Sequence, residues 1–385
     1  MADSTLIKLK SLQEFEEVAI QKLPERGLGF AVTYITFGDK RTRREMQKAF
    51  NRYWLQPNVL TARQPFPSTW TTLLGQPIRI PICIAPTADQ AVVAPPDGDI
   101  LTAQAAAELG TLMIYSSVSN LRIDEFGSKV PPNGLHWAQT YLFKDKRNTL
   151  HIVRNAEKYG FKAIVVTADS PVDYISSSGR GEEVDEQIVP SEMTITISPN
   201  VAYLKGKARE SRKYSDHELW NPSDGTAYFE AFCAPTWEDL AWLKGQTKLP
   251  IVLKGILTAK AAKLAVKAGV DAIIVSCHGG RQLPGVQPPL FALPEVLEAV
   301  KGSKIEVYLD GEIRFGSDVV KALALGARAV FIGRPVLWGL AVKRKEGVKR
   351  VLQILEDEFK TVLTMCGCSS LQDVDSSLVK LKSLF

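Results

Sequence analysis

A histidine and an arginine three residues apart stand in the stretch Val275–Leu283, which reads Val-Ser-Cys-His-Gly-Gly-Arg-Gln-Leu. His278 can take up a proton near neutral pH, and the planar cation of Arg281 can bind a carboxylate through two hydrogen bonds. Four apolar residues, 272–275, lead into this stretch, which is typical of a buried parallel strand ending in a polar loop. The alternative is a histidine that caps a strand beside an arginine in a surface ion pair. Because the chain has four histidines and this one lies between a strand and a Gly-Gly turn, we favour catalysis.

Two further arginines follow the last two apolar stretches of the pattern. They stand in Asp310-Gly-Glu-Ile-Arg314-Phe-Gly and in Ile332-Gly-Arg334-Pro. Each segment places backbone N–H groups and an arginine where a loop enters a helix, an arrangement with which α/β barrels hold phosphate. The sequence therefore predicts a ligand that carries a phosphate, rather than two structural ion pairs.

Lys254 ends a third apolar stretch, in Val-Leu-Lys-Gly. Because burying an unpaired ammonium is costly, we expect this lysine either to form a Schiff base, as in barrel aldolases, or to hold a negative charge on a cofactor. The other stretches also end in polar residues or tight turns, namely Pro86, Thr87, Ala88, Ser116, Ser117, Gln139, Tyr141, Thr167 and Asp169. A purely structural barrel would not need these, so they predict one active-site rim.

Short apolar stretches alternate with amphipathic ones from residue 81 onward. The predicted strands are 81–86, 112–117, 136–142, 163–170, 250–256, 272–278, 305–311 and 329–335. Helical patterns follow most of them, at 101–109, 149–159, 259–268, 293–300 and 318–325. Eight strands that alternate with helices predict an α/β fold, a (β/α)8 TIM barrel. The second possibility is an open doubly wound sheet, but no Gly-x-Gly-x-x-Gly follows the first strand.

We expect residues 1–385 to form a single barrel domain with two additions. Residues 1–75 read as a helical N-terminal extension, with helices at 12–23 and 41–50. Residues 172–235 are rich in Ser, Gly, Glu, Lys and Pro. So long an insertion after the fourth strand is typical of an active-site loop or lid.

Composition and charge narrow the class of protein. Hydrophobic residues make up 45% of the chain, and the net charge of +5 is spread along it. The two densest basic runs, 40–44 and 343–350, adjoin apolar residues at helical spacing, so they read as solvated helix faces and no nucleic-acid partner is expected. No apolar run approaches the ~18 residues of a membrane span, so no membrane partner is expected.

Cysteine usage and the chain ends bear on the compartment. Five cysteines without a framework spacing fit a reducing environment. Cys366-Gly-Cys368 has no histidine nearby, so we expect no metal site. The N-terminus lacks the apolar core of a secretion signal, and the final Ser-Leu-Phe is a poor peroxisomal signal. We therefore expect a peroxisomal or cytoplasmic protein.

The run Ser276-Cys-His-Gly-Gly-Arg-Gln-Leu-Pro-Gly-Val resembles the signature of the FMN-dependent α-hydroxy acid oxidases and dehydrogenases. The likeness continues through Leu-Asp310-Gly and Phe-Ile-Gly-Arg334-Pro, covers most of the chain from residue 22 to 367, and is strongest with the glycolate oxidase branch. It implies FMN as the cofactor and oxidation of a 2-hydroxy acid to a 2-oxo acid. It also implies O2 as the acceptor, giving H2O2, because no haem domain is present, and assembly as a homotetramer or homo-octamer.

The resemblance also implies residue roles. The residue matching His278 takes the substrate proton, and the one matching Asp169 pairs with its imidazole. Arg281 matches the arginine that holds the substrate carboxylate, helped by tyrosines that match Tyr141 and Tyr34. The residues implied to contact the flavin ring are Pro86, Thr87, Ala88, Ser116, Gln139, Thr167, Ser276 and Lys254, the last stabilising negative charge on the reduced ring. Those implied to hold the ribityl chain and phosphate are Asp310, Gly311, Glu312, Arg314, Gly333 and Arg334.

Four departures from the family pattern bear on substrate and cofactor binding. Cys277 replaces an asparagine, Val118 stands where a tryptophan often follows the paired serines, and Glu312 replaces the second glycine of Leu-Asp-Gly-Gly. The family's second substrate arginine falls at Ser176, so Arg180 would take its place only if the loop shifts. Loss of that arginine would weaken binding of ordinary 2-hydroxy acids by about tenfold or more.

Three hypotheses remain from the sequence. The leading one is an FMN-dependent oxidase of a 2-hydroxy acid. The second keeps the same chemistry on a larger or aromatic acid, which would use the space opened by Val118 and the altered loop. The third is a catalytically silent flavin-binding protein. Its case is weak because His278, Asp169, Lys254 and Arg281 are all retained.

Overall fold

A computed structural model describes residues 9–61, 66–171 and 234–382. In it the predicted apolar stretches form eight parallel strands that close into a barrel, in chain order, with the eighth strand paired to the first. We label these strands β1 (Ile82–Ile84), β2 (Leu112–Tyr115), β3 (Leu135–Thr140), β4 (Ile164–Thr167), β5 (Ile251–Ile256), β6 (Ala272–Val275), β7 (Glu306–Asp310) and β8 (Val330–Ile332). The predicted (β/α)8 barrel is confirmed, and the doubly wound sheet is wrong.

Seven of the helices among the described residues lie within a few residues of a predicted range, and the other four had no predicted range. They are α1 (Leu12–Glu25), α2 (Phe30–Thr36), α3 (Lys40–Asn51), α4 (Gly98–Glu108), α5 (Ile123–Lys129), α6 (Lys146–Lys158), α7 (Trp237–Lys244), α8 (Ala259–Ala268), α9 (Pro289–Val300), α10 (Gly316–Ala324) and α11 (Arg334–Met365). Their ends follow capping chemistry: the Ser11 side chain accepts from the N–H of Glu14 at the start of α1. Helix α11 is kinked at Lys343 and Arg344, whose backbone angles are not helical.

Alternate residues of the barrel strands face opposite sides, as the two-residue period of a strand requires. One set points outward under the helices and includes Ile82, Ile84 and Tyr115. The other set fills the barrel, where the rings of Trp137, Tyr308 and Phe331 have centroids 5.7–6.3 Å apart. The barrel interior is therefore a packed core, and a ligand can enter only at a strand end.

Short strands outside the barrel were not predicted. Tyr53–Leu55 pairs antiparallel with Val379–Leu381, and Thr71–Leu73 pairs with Gln76–Ile78 in a hairpin. Leu73 and Ile78 join the buried cluster inside the barrel. Three-residue strands are too short to show an alternating pattern, which is why the sequence predicted only helical and irregular structure in residues 1–75.

The predicted lid falls almost wholly outside the described residues. Residues 172–233, and with them Arg180, lie outside, as do 1–8, 62–65 and 383–385. Within the part of the chain that the structure describes, no helix has the length and apolar character needed to cross a membrane.

Candidate active site

A cleft opens at the C-terminal ends of the barrel strands. It contains about 850 Å³ of empty space including its open mouth. The predicted site residues that line it are Pro86, Thr87, Ala88, Ser116, Gln139, Tyr141, Thr167, Lys254, His278, Arg281, Asp310, Gly311, Glu312, Arg314, Gly333 and Arg334. Most of the residues chosen from the sequence are thus brought together around one space.

The remaining predicted residues do not line the cleft directly. Asp169 stands behind His278, and Ser276 is fully buried, with its Oγ accepting from the His278 N–H at 3.0 Å. Tyr34 reaches the site from helix α2 and contacts Arg281. Arg180 lies outside the described residues.

His278 leaves the barrel in a short 3-10 turn, His278–Gly280, just beyond strand β6. Its φ of 57° is left-handed, a conformation that costs a non-glycine residue about 1–3 kcal/mol and is concentrated at functional sites. The strand was predicted to reach residue 278 and instead ends at Val275. The early end lets the chain turn, so that His278 Nδ1 lies 2.8 Å from Asp169 Oδ1.

The charge of Asp169 determines which nitrogen of His278 carries the proton. Burial would raise the pKa of Asp169, but Lys254 and His278 act against it, and the net pKa lies below its usual value. Asp169 is therefore an ionised carboxylate, which can only accept a hydrogen bond. In the neutral imidazole, Nδ1 of His278 is then the donor, and the second ring nitrogen, Nε2, keeps its lone pair.

Lys254 is almost completely buried between two carboxylates. Its Nζ lies 3.6 Å from Asp310 Oδ2 and 3.9 Å from Asp169 Oδ2. Burial opposes its charge, but these two carboxylates outweigh burial and raise its pKa. A Schiff base requires a neutral amine, so this environment favours the alternative prediction, a fixed positive charge facing the cleft.

The N-terminal extension holds the loop that carries Arg281. Arg281 Nη2 donates to the backbone oxygen of Tyr34 at 2.9 Å, and its guanidinium carbon lies 5.2 Å from the centre of the Tyr34 ring. The Asp39 N–H donates to Gly280 O at 2.7 Å. The aromatic segment between the two predicted helices is thus a helix of its own, α2, and it orients the arginine.

Asp89 and Asp99 are two acidic groups at this end of the site that the sequence analysis missed. Burial, followed by the charge of Asp99, raises the pKa of Asp89 to about 7, while Arg281 opposes the rise. Burial likewise raises the pKa of Asp99 to about 7. Asp89 directly follows the predicted Pro86-Thr-Ala turn, and that position was the only sequence signal of its role.

A cluster of arginines adjoins the cleft beside the His278–Gly280 turn, where Arg334 Nη2 donates to Gly279 O at 2.9 Å. Arg314 and Arg334 belong to it as predicted, and Arg43 of helix α3 joins them. The prediction of a solvated face for residues 40–44 is wrong for Arg43, whose side chain is 14% exposed. Helix α3 turns this one cation of the run inward, and its neighbours Lys40, Arg41 and Arg44 remain exposed.

The residues of the cleft fit FMN. Among the described residues, Arg334 Nε and Asp310 Oδ1 are buried without a hydrogen-bond partner, so one donor and one acceptor are left for a ligand. Burial, with the charges of Arg281 and Arg43, lowers the pKa of Arg334. An anion bound next to Arg334 would stabilise its positive charge. A side chain at Gly333 would meet a single neighbour, Thr87 Oγ1 at 3.8 Å, so the backbone there is open to close approach.

Comparison with known proteins agrees with this geometry. A family model described as FMN-dependent dehydrogenase matches residues 21–381. The chain is 39% identical over 380 residues to 2-hydroxyacid oxidase 1 of Homo sapiens, covering 97% of each chain. It is 39% identical over 376 residues to glycolate oxidase of Spinacia oleracea, covering 96% of this chain and 95% of that one.

Solved structures give the same result at the level of the fold. A mandelate oxidase variant with (S)-mandelic acid superposes with a TM-score of 0.77 at 30% identity, covering 98% of this chain and 100% of that one. The matches in sequence and structure both span nearly the whole chain and include every strand that contributes to the cleft. The protein therefore belongs to the FMN-dependent dehydrogenase family, the family of the 2-hydroxyacid oxidases, and is an oxidoreductase with FMN as its cofactor.

Proposed function

We propose that the protein oxidises a 2-hydroxy acid to the 2-oxo acid, with His278 as the base and Arg281 as the carboxylate clamp. The observation that carries this proposal is the 2.8 Å contact between His278 Nδ1 and the ionised Asp169. His278 lies on the same loop as Arg281. This contact leaves Nε2 of His278 able to accept the proton of the substrate hydroxyl. Asp169 then stabilises the imidazolium by direct charge pairing.

The remaining cleft residues are assigned to orientation and charge. Tyr141 lines the cleft beside His278 and is proposed to donate to the substrate, and Tyr34 to hold Arg281 in place. When bound, FMN supplies the two-electron acceptor that the oxidation needs. Lys254 is proposed to stabilise negative charge on the bound flavin, because the ammonium group of Lys254 stays protonated. Arg314 and Arg334 are proposed to bind its phosphate.

Oxygen is the proposed final acceptor, so that a 2-hydroxy acid and O2 give a 2-oxo acid and H2O2. The names of the three relatives reported above, all oxidases, support this choice. We also propose a homotetramer or homo-octamer located in the peroxisome or cytoplasm. Mass measurement of the purified protein in solution and microscopy of the tagged protein test these two proposals.

Substrate size divides the proposal into two versions. Small acids such as glycolate or lactate fit the leading version. Val118, a small and partly exposed side chain next to the rim, favours an acid with a larger or aromatic group. The two versions are distinguished by mixing the flavoprotein anaerobically with glycolate, lactate or mandelate and measuring the loss of flavin absorbance. Reduction by none of the three would support a silent flavin-binding protein.

The base is tested by replacing His278 with glutamine. We expect His278→Gln to keep FMN bound while flavin reduction slows by about 10²–10⁴-fold, the usual contribution of a general base. His151→Gln is the matched control, because it makes the same change on helix α6, among residues that do not line the cleft. Reduction of His278→Gln at the rate of this control would reject the assignment.

A further inference from the structure

The Glu312 carboxylate is completely buried inside the arginine cluster of the cleft. Its Oε2 lies 2.9 Å from Arg314 Nη2 and accepts from Gln47 Nε2 at 2.9 Å. Its Oε1 lies 3.3 Å from Arg43 Nε and 3.4 Å from Arg334 Nη1. One carboxylate thus contacts the three arginines of the cluster, Arg43, Arg314 and Arg334.

The backbone of Glu312 is unusual for a residue with a long side chain. Its φ is 55°, in the left-handed region that favours glycine. The side chain of this residue is held by its contacts with Arg314 and Gln47. The left-handed backbone and the complete burial of the side chain together indicate that the Glu312 carboxylate has a role at this position.

The charge of Glu312 persists at neutral pH. Burial would raise its pKa, but Arg314, Arg334 and Arg43 outweigh burial and keep the pKa below its usual value. A bound phosphate monoester carries about −1.5 to −2 charges and seeks the same guanidinium donors. Carboxylate and phosphate must therefore share or contest the N–H groups of Arg314 and Arg334.

We propose that Glu312 is an internal competitor of the flavin phosphate and so a determinant of cofactor preference. It reduces the advantage that FMN has over riboflavin, which has the same ring and ribityl chain without the phosphate. The proposal rests on the assignment of Arg314 and Arg334 as phosphate ligands. The proposal does not depend on which residue is the base or which acid is the substrate, because the test compares the binding of two flavins.

The test is titration of the flavin-free protein with FMN and with riboflavin, in which quenching of flavin fluorescence reports binding. Glu312→Gln removes the charge and keeps the shape, and Glu312→Gly also relieves the left-handed backbone. We expect the ratio of the riboflavin Kd to the FMN Kd to rise by about tenfold or more in both variants, since a charged hydrogen bond is freed for the phosphate. The riboflavin Kd itself should stay within about threefold of the wild type.

Glu16→Gln is the matched control. The Glu16 carboxylate lies 3.6 Å from Arg43 Nη2 but does not line the cleft, so its loss removes a charge from the cluster without opening the phosphate position. The Kd ratio should not change in this variant. An unchanged ratio in the Glu312 variants would overturn the proposal, and so would a lower ratio, which would make Glu312 an organiser of the arginines.

Arg314→Ala distinguishes failure of this proposal from failure of the phosphate assignment. If Arg314 binds phosphate, this variant should bring the Kd ratio down toward one. If Arg314→Ala leaves the ratio unchanged, Arg314 does not bind phosphate, and its part of the phosphate assignment falls as well. A reduced ratio with Arg314→Ala and no change with Glu312→Gln would reject Glu312 alone.

Discussion

At the scale of single residues, the site is defined by which charges survive burial. Asp169, Lys254 and Glu312 keep their charges because each lies against an opposite charge. Asp89 and Asp99 are the exceptions, since burial raises the pKa of each to about 7. They are therefore carboxyl groups near the substrate end whose charge changes in the physiological range.

Asp89→Asn should reduce a pH dependence of substrate binding. Because the pKa of Asp89 is raised, the carboxyl group is neutral below pH 7 and becomes an anion above it, opposing the positive charge of Arg281 toward a substrate carboxylate. An extra charge in a partly screened site is worth about 1 kcal/mol, or roughly fivefold in affinity. We expect KM of the wild type to rise by that factor between pH 6 and pH 8. The variant's KM should rise less than that of the wild type, with Asp99 still titrating in this range, and parallel profiles for both proteins would contradict the assignment.

At the scale of elements, close packing between the ends of strands β4 and β5 positions Asp169, which is the partner of the proposed base His278. Gly255 in strand β5 has a φ of 106°, and a Cβ added there would lie 2.5 Å from the Cβ of Asp169. The strand ends of β4 and β5 thus approach so closely that only glycine leaves room for the Asp169 side chain. The pairing of Asp169 with His278 depends on this close approach.

Gly255→Ala should displace Asp169 and slow flavin reduction by about 10–100-fold, as expected for a misplacement of catalytic groups by about 1 Å. FMN binding should be retained, because the three atoms nearest to an added Cβ at Gly255 all belong to Asp169 and none belongs to an arginine of the cluster. Stopped-flow reduction under anaerobic conditions measures the effect. Gly160→Ala is the control, since Gly160 has a φ of 75° with no neighbour within 4 Å of an added Cβ. Equal rates in the two variants would show that the Gly255 contact has no catalytic consequence.

At the scale of the whole molecule, the layer between the barrel and its helices contains a histidine that burial keeps neutral. His136 at the start of β3 is 6% exposed, and its ring packs against Phe126 and Phe161. Neither ring nitrogen has a hydrogen-bond partner among the described residues. Burial lowers the pKa of His136 to about 4, so the folded state resists a protonation that the unfolded chain accepts.

His136→Leu should make the barrel less sensitive to acid. The pKa of His136 is depressed on folding from 6.5 to about 4, so the unfolded state binds more protons in this interval and stability falls as the pH falls through it. Between pH 7 and pH 5 the wild type should lose about 2 kcal/mol more unfolding free energy than the variant. Urea unfolding at the two pH values measures the difference. Equal losses would show that His136 does not contribute.

Much of the fold could be predicted from the sequence alone. Apolar stretches of strand length that alternate with amphipathic ones report which residues are buried, and burial on both faces identifies the parallel strands of a barrel. The polar residues that end those stretches then fall on one rim, because all parallel strands point the same way. For that reason His278, Arg281, Lys254 and the two strand-end arginines were found without coordinates.

Tertiary structure decided which distant residues complete the site. Arg43 and Glu312 meet across 269 residues of sequence, and the basic run that contains Arg43 looks like any solvated helix face. The burial of Asp89 beside Asp99, and the contact of Gly255 with Asp169, leave no periodic signal either. The physical reason is that sequence periodicity reports the environment of each element separately. The distances between elements, which set the pKa values and the ion pairs, exist only once the barrel has closed.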